Sequence, residues 1–186
     1  FNKWPSRVVE PPRTKAATGS RTPKDMTAEE YAAQVKSELQ DTWLPHLYRD
    51  RILSKRTRSY HFEGLPVKTR VEIQHTLLGV ELKVGRQRLT CPDLATARYL
   101  AVFARAGCEN VAVPYDITKI SRLADELESS WHRMFLLVDH YAASESERFR
   151  SRIARLLVGK IRNEISELGA GTLVPEFNQN TKQRAH

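Results

Sequence analysis

Apolar and polar residues alternate along residues 67–89, VKTRVEIQHTLLGVELKVGRQRL. The apolar positions on one side of this alternation are Val71, Ile73, Val80, Leu82 and Val84. The polar positions on the other side are Glu72, Gln74, Glu81 and Lys83. Because successive side chains on a strand point to opposite faces, the pattern predicts a β-hairpin with one buried face. Its turn is expected near Leu77-Leu78-Gly79.

Elsewhere the apolar residues recur at helical spacing, which predicts helices over residues 28–44, 93–106, 118–141 and 144–168. A capping box, in which a hydroxyl and a carboxylate satisfy the first free N–H groups, is predicted for Thr27 with Glu30 and for Ser144 with Glu147. Short apolar stretches predict strands over residues 59–65 and 110–114. Since the second of these follows a helix directly, we expect a βαβ crossover and a parallel neighbour.

The order of these elements predicts an α+β fold, with a small mixed β-sheet of αβββαβ core order and two long C-terminal helices. We expect a single α+β domain over residues 26–169. Residues 1–25 are rich in Pro, Arg, Lys, Thr and Ser without periodicity, which predicts a disordered basic arm. Residues 170–186 are predicted to form a polar C-terminal tail. No apolar run approaches the roughly 18 residues that span a bilayer.

The two cysteines, Cys91 and Cys108, flank the predicted helix over residues 93–106. They fit no metal-binding spacing, and two are too few for the disulfide scaffold of a small secreted protein. The N-terminus also lacks the apolar core of a secretory signal. We therefore expect two reduced, partly buried thiols and a cytoplasmic or another reducing compartment.

The net charge of +8 and the pI of about 9.7 favour a polyanion partner, either nucleic acid or an anionic membrane surface. Half of that excess lies in residues 1–25, which contain six Lys and Arg residues and two acidic residues. The alternative is a solubilising tail with ordinary charged faces. The basic residues predicted to contact DNA or RNA are Arg49, Arg51, Lys55, Arg56, Arg58, Lys68, Arg70, Arg86 and Arg88. Tyr48 and Tyr60 flank the first five, which suits phosphate contact with base stacking.

The element order and the triplet Glu81-Leu82-Lys83 resemble the PD-(D/E)xK nuclease superfamily over residues 27–116. The resemblance implies that Glu72 and Glu81 bind Mg²⁺, whose hard oxygen ligands are carboxylates and water. It also implies that Lys83 acts at the attacking water and the scissile phosphate. The sequence departs from the family because no Pro-Asp precedes the third strand, so Glu63 is a second candidate for the Glu72 role. The alternative is that these residues form cross-strand charge pairs.

Two functions from different classes follow from these patterns. The first is a nucleic-acid-binding protein, which in its sharper form is a Mg²⁺-dependent endonuclease with Glu81 and Lys83 as catalytic residues. The second is a non-catalytic adaptor that binds a protein partner, or a second copy, through its C-terminal helices. Its basic arm would tether RNA or a membrane surface. Tyr115 and Asp116, at the end of a predicted strand, could line a site, although Asp116 also suits a helix cap.

Overall fold

The computed structural model describes residues 26–65 and 70–171. The predicted basic arm, residues 172–186 of the predicted tail, and Lys68 lie outside the described residues. The helices are α1 (Ala28–Leu39), α2 (Leu44–Leu47), α3 (Leu94–Ala106), α4 (Ile120–Tyr141) and α5 (Glu147–Leu168). Short 3₁₀ segments cover Gln40–Thr42 and Ile117–Lys119, and a π-helical turn covers Tyr48–Ile52.

The strands are β1 (Thr57–His61), β2 (Val71–Thr76), β3 (Gly79–Val84), β4 (Gln87–Cys91) and β5 (Asn110–Pro114). They form two sheets, one of β1 with β5 and one in the order β2-β3-β4. The α+β class predicted from the sequence is confirmed. The parallel neighbour expected for residues 110–114 is wrong, because β5 pairs antiparallel with β1, with Thr57 opposite Pro114.

The hairpin predicted over residues 67–89 is confirmed for β2 and β3, which are antiparallel partners joined at Leu77-Leu78. The predicted extension of its second strand to Leu89 is wrong, because the chain reverses at Gly85 and returns as β4. Gly85 has a φ of 62°, a conformation that glycine adopts without steric cost. Four strands therefore precede α3, where the expected core order had three.

The predicted start of the first helix is confirmed, whereas its end and the start of the last helix differ from the prediction. The capping box of Thr27 and Glu30 is confirmed, with both hydrogen bonds present. The second predicted box is wrong, because Ser146 and not Ser144 accepts the Phe149 N–H, at 3.3 Å. The first helix ends at Leu39, five residues before its predicted end, where the chain enters a 3₁₀ turn.

Helix α3 lies at the centre of the core. It contacts the three strands of the β2-β3-β4 sheet and also packs against α4 and α5. Helix α1 packs against the same two long helices, so their apolar stripes are buried within the molecule. Leu127 of α4 and Ile161 of α5, for example, are each 1% exposed. Among the described residues, no helix combines the length and apolarity needed to cross a bilayer.

Candidate functional site

The β2-β3-β4 sheet brings together the residues of the predicted nuclease site. Glu72 lies opposite Lys83, and Gln74 lies opposite Glu81. On the next strand, Arg88 lies opposite Lys83 and Thr90 lies opposite Glu81. Since directly paired residues of a sheet point to the same face, Glu72, Glu81 and Lys83 share one face, as the alternation predicts.

Each carboxylate on this face has an arginine partner. Arg70 Nε lies 2.5 Å from Glu72 Oε1, and Arg88 Nη1 lies 3.9 Å from Glu81 Oε2. The second distance is too long for a hydrogen bond. Glu81 Oε2 is buried and has no hydrogen-bond partner in the described part of the chain. With Lys83 as the third cation, three positive charges and two carboxylates leave this face with a net charge of +1.

This face does not fit a Mg²⁺ centre. The residue directly opposite Glu81 is the amide Gln74, and Glu72 is already held by an arginine. Within residues 26–65 and 70–171, no group of three or more His, Cys, Asp or Glu could hold a metal ion. Glu63, the second candidate, follows β1, which belongs to the other sheet. Of the observed ion pairs, Arg88 with Glu81 joins two strands, whereas Arg70 and Glu72 are two residues apart on the same segment. The roles of Glu81 and Lys83 in catalysis stay predictions.

The other sheet ends in a cleft of about 530 Å³ that we call the basic cleft. Its lining residues are Lys55, Arg56, Pro114, Tyr115, Asp116 and Lys119. The first two lie between the π-helical turn and β1, and the other four lie at the end of β5 and in the 3₁₀ turn after it. Antiparallel pairing of β1 with β5 brings the two segments together, because Thr57 and Pro114 are opposite each other.

Backbone and ring contacts hold the basic cleft in shape. The Tyr115 N–H donates to the Arg56 carbonyl oxygen at 3.1 Å. The Arg56 guanidinium carbon lies 5.8 Å from the centroid of the Tyr115 ring, within the range of a cation–π contact. The Lys55 ammonium donates to the Arg51 carbonyl oxygen at 2.7 Å. These contacts hold the Arg56 guanidinium beside the Tyr115 ring and fix the Lys55 ammonium at the end of the π-helical turn.

Asp116 is the one acid among the lining residues, and it has a local role. Its carboxylate caps the 3₁₀ turn by accepting from the Thr118 N–H at 3.1 Å, so the helix-cap interpretation is confirmed. Hydrogen bonds from Thr118 and then from Lys119 lower the pKa of Asp116 below its ordinary value. With Asp116 ionised, three cations and one carboxylate leave the cleft with a net charge of +2.

The remaining predicted basic residues do not line the basic cleft. Arg49 is bound to Asp50 at 2.7 Å, and Arg51 lies 3.9 Å from Glu126. Arg58 is exposed on β1, close in sequence to the cleft. Arg70, Arg86 and Arg88 belong to the β2-β3-β4 region, where the first and last are paired with acids. Of the predicted set, Lys55 and Arg56 are thus the residues that line the cleft.

Lys119 is the cleft residue that the sequence did not single out. Its one local signal is its position three residues after Asp116, to which its ammonium is bound at 3.1 Å. Comparison with protein-family models, with curated proteins and with solved structures gives no match for the chain.

Proposed function

We propose that this protein binds single-stranded nucleic acid in the basic cleft. The observation that carries the proposal is that Lys55, Arg56 and Lys119, from two distant segments of the chain, line one cleft together with Tyr115. Lysine and arginine contact phosphates, and an aromatic ring offers a surface on which any base can stack. The net charge of +2 in the cleft adds an attraction for the phosphate backbone.

The exposed tyrosine favours a single strand over a duplex. Tyr115 is 42% exposed, although large aromatic side chains usually bury most of their surface. A base can stack on this ring only where it is not already stacked in a helix. The cleft volume of about 530 Å³ falls within the range of sites that hold a small ligand, such as one nucleotide.

The adaptor alternative has less support in the structure. It requires apolar surface on α4 and α5, but the apolar stripes of these helices are buried against α1 and α3. The exposed large apolar side chains of α4 and α5 are Leu136 and Leu168, which lie on different helices. No described feature identifies a protein that would cover them.

The test is equilibrium binding of labelled oligothymidylate and oligouridylate of about 12 nucleotides, a length that covers a typical single-strand site. We expect wild-type affinity to fall steeply with salt. The double variant Lys55→Ala/Lys119→Ala should bind more weakly, and the slope of log K against log salt should shrink by about 0.7 for each phosphate that the variant no longer neutralises. Tyr115→Ala should weaken binding by about 1–3 kcal/mol, whereas Tyr115→Phe should bind like the wild type.

Arg133→Ala is the matched control, because Arg133 is an exposed cation on α4 about 20 Å along the helix axis from Lys119. Its loss changes the net charge without touching the cleft. Equal affinity and equal salt slope for the double variant and the wild type would show that the basic cleft does not bind the strand. A similar loss of affinity in Arg133→Ala would show that total charge, and not the cleft, attracts the nucleic acid.

A further inference from the structure

A second cavity lies at the other end of the same two-stranded sheet. It has a volume of about 370 Å³ and is lined by Gly107, Cys108, Glu109, Asn110, Arg162, Ser166, Gly169 and Ala170. The pair Thr57 and Pro114 ends the sheet at the basic cleft, and the pair His61 and Asn110 ends it at this cavity. Four residues of strand separate the two ends, which is about 13 Å.

Arg162 forms one wall of the cavity in a fixed position. Its Nε donates to the Ala106 carbonyl oxygen at 3.1 Å, which satisfies a free carbonyl at the end of α3. The guanidinium packs directly on Gly107, where an added Cβ would lie 2.9 Å from Nε and from Nη2. Of the five guanidinium N–H donors, the four on the two terminal nitrogens have no hydrogen bond to the described residues.

Glu109 and Asn110 supply acceptors on the same cavity. The Glu109 carbonyl oxygen accepts from the Phe62 N–H at 2.7 Å, which fixes the backbone, while the Glu109 side chain is exposed. The Asn110 Oδ1 lies 2.7 Å from His61 Nδ1. Arg162 and Glu109 line one cavity without forming an ion pair with each other. The cavity thus offers a planar pair of donors and, separately, a carboxylate acceptor.

We infer that this cavity binds a guanine base of the strand held in the basic cleft, an inference that rests on the proposed function. Guanine presents two acceptors, O6 and N7, to which arginine donates in bidentate fashion. Its Watson–Crick edge carries the N1–H and N2–H₂ donors, which a carboxylate accepts. Adenine presents an N6 donor in place of O6, so it repels the guanidinium donors. The separation of about 13 Å equals about four stacked nucleotides, or fewer extended ones.

The test compares three labelled oligonucleotides: all thymidine, the same strand with one central guanine, and the same strand with one central adenine. We expect the wild type to bind the guanine strand about tenfold more tightly than the adenine strand. In Glu109→Gln this preference should fall below about twofold, while affinity for the all-thymidine strand is kept. Glu167→Gln is the charge-matched control, because Glu167 is exposed on α5 and does not line the cavity.

The outcomes separate this inference from the proposed function. Tight binding of all three strands with equal affinity would overturn the guanine site and leave the basic cleft in place. Absence of binding to every strand would overturn the proposed function. In that case the cavity is tested with guanosine monophosphate and adenosine monophosphate. The measurement is the change that each nucleotide causes in the amide NMR shifts of Glu109, Asn110 and Arg162. Shifts with the guanine nucleotide alone would keep the site, and equal shifts or none would overturn it.

Discussion

At the scale of the residue, two tyrosine hydroxyls form hydrogen bonds with backbone groups of β5. Tyr99 donates to the Ala112 carbonyl oxygen at 2.6 Å. Tyr48 accepts from the Ala112 N–H at 2.9 Å and donates to the Gly169 carbonyl oxygen at 2.6 Å. At Ala112, the edge of β5 that faces away from β1 is therefore paired with side chains rather than with another strand. The same hydroxyl of Tyr48 joins β5 to the end of α5, which lines the proposed guanine site.

Tyr48→Phe removes this hydroxyl and leaves the buried Ala112 N–H without a partner. We expect the free energy of unfolding to fall by about 1–3 kcal/mol, the usual cost of an unsatisfied buried group. Urea unfolding followed by tryptophan fluorescence measures the change. Tyr141→Phe is the control, because the described residues offer its hydroxyl no hydrogen bond, and its effect should stay within about 0.5 kcal/mol. Equal stability of the two variants would contradict the role given to Tyr48.

At the scale of the element, the junction between α3 and β5 depends on Gly107. This residue ends α3 with a φ of 75°, and its N–H donates to the Ala104 carbonyl oxygen at 3.1 Å. A left-handed residue at this position is how many helices end, and glycine takes it without a steric penalty. The absence of a side chain also lets the Arg162 guanidinium of α5 lie against the backbone.

Gly107→Ala and Gly159→Ala form a matched pair of substitutions. The first places a methyl group in a left-handed conformation against Arg162, so stability should fall by about 1–2 kcal/mol. The second adds a methyl group in the middle of α5, where nothing lies within 4 Å, so stability should rise by up to about 1 kcal/mol. Chemical denaturation of both variants measures these changes. Opposite signs are expected, and a stabilising Gly107→Ala would contradict the described junction.

The elements that the sequence predicts well are those whose pattern is local. Alternation along residues 71–84 is enough to find β2, β3 and the face shared by Glu72, Glu81 and Lys83. The prediction of a parallel neighbour for β5 was wrong because the packing of the whole chain determines which strands pair. Here the hydroxyls of Tyr48, 64 residues before Ala112, and of Tyr99 on α3 occupy the edge that a further strand would need.

The two candidate sites were largely beyond the reach of local patterns. Lys55 and Lys119 of the basic cleft are 64 residues apart and meet because β1 pairs with β5. Glu109 and Arg162 meet in the cavity only because α5 passes the end of α3. The sequence did indicate four of the six cleft residues, through the basic run around Lys55 and Arg56 and through the position of Tyr115 and Asp116 at a strand end.

At the scale of the whole molecule, three titratable groups that are neutral in the fold surround the buried strand β5. Burial raises the pKa of Tyr48 and the pKa of Cys108 to about 12 each. Burial also raises the pKa of Tyr99 well above its ordinary value. Cys108 and Cys91 are both free thiols and both buried, in agreement with the reduced state expected from the sequence.

Alkaline pH should therefore destabilise the protein. In the unfolded chain a cysteine loses its proton near pH 9 and a tyrosine near pH 10, whereas the folded chain keeps these protons to about pH 12. Stability is thus complete below about pH 9 and declines as the pH rises toward 12, by up to about 1.4 kcal/mol per unit for each group. Urea midpoints measured across this range give the decline directly.

Cys108→Ala separates the thiol from the tyrosines. With this thiol removed, the decline above pH 9 should be shallower by the contribution of one group, because Cys91, whose pKa burial also raises, and the phenols remain. The small loss of packing in this variant lowers stability equally at every pH, so it does not affect the comparison of slopes. Identical pH profiles for the variant and the wild type would mean that Cys108 ionises as readily in the folded chain as in the unfolded one. That result would contradict its burial between α3 and β5.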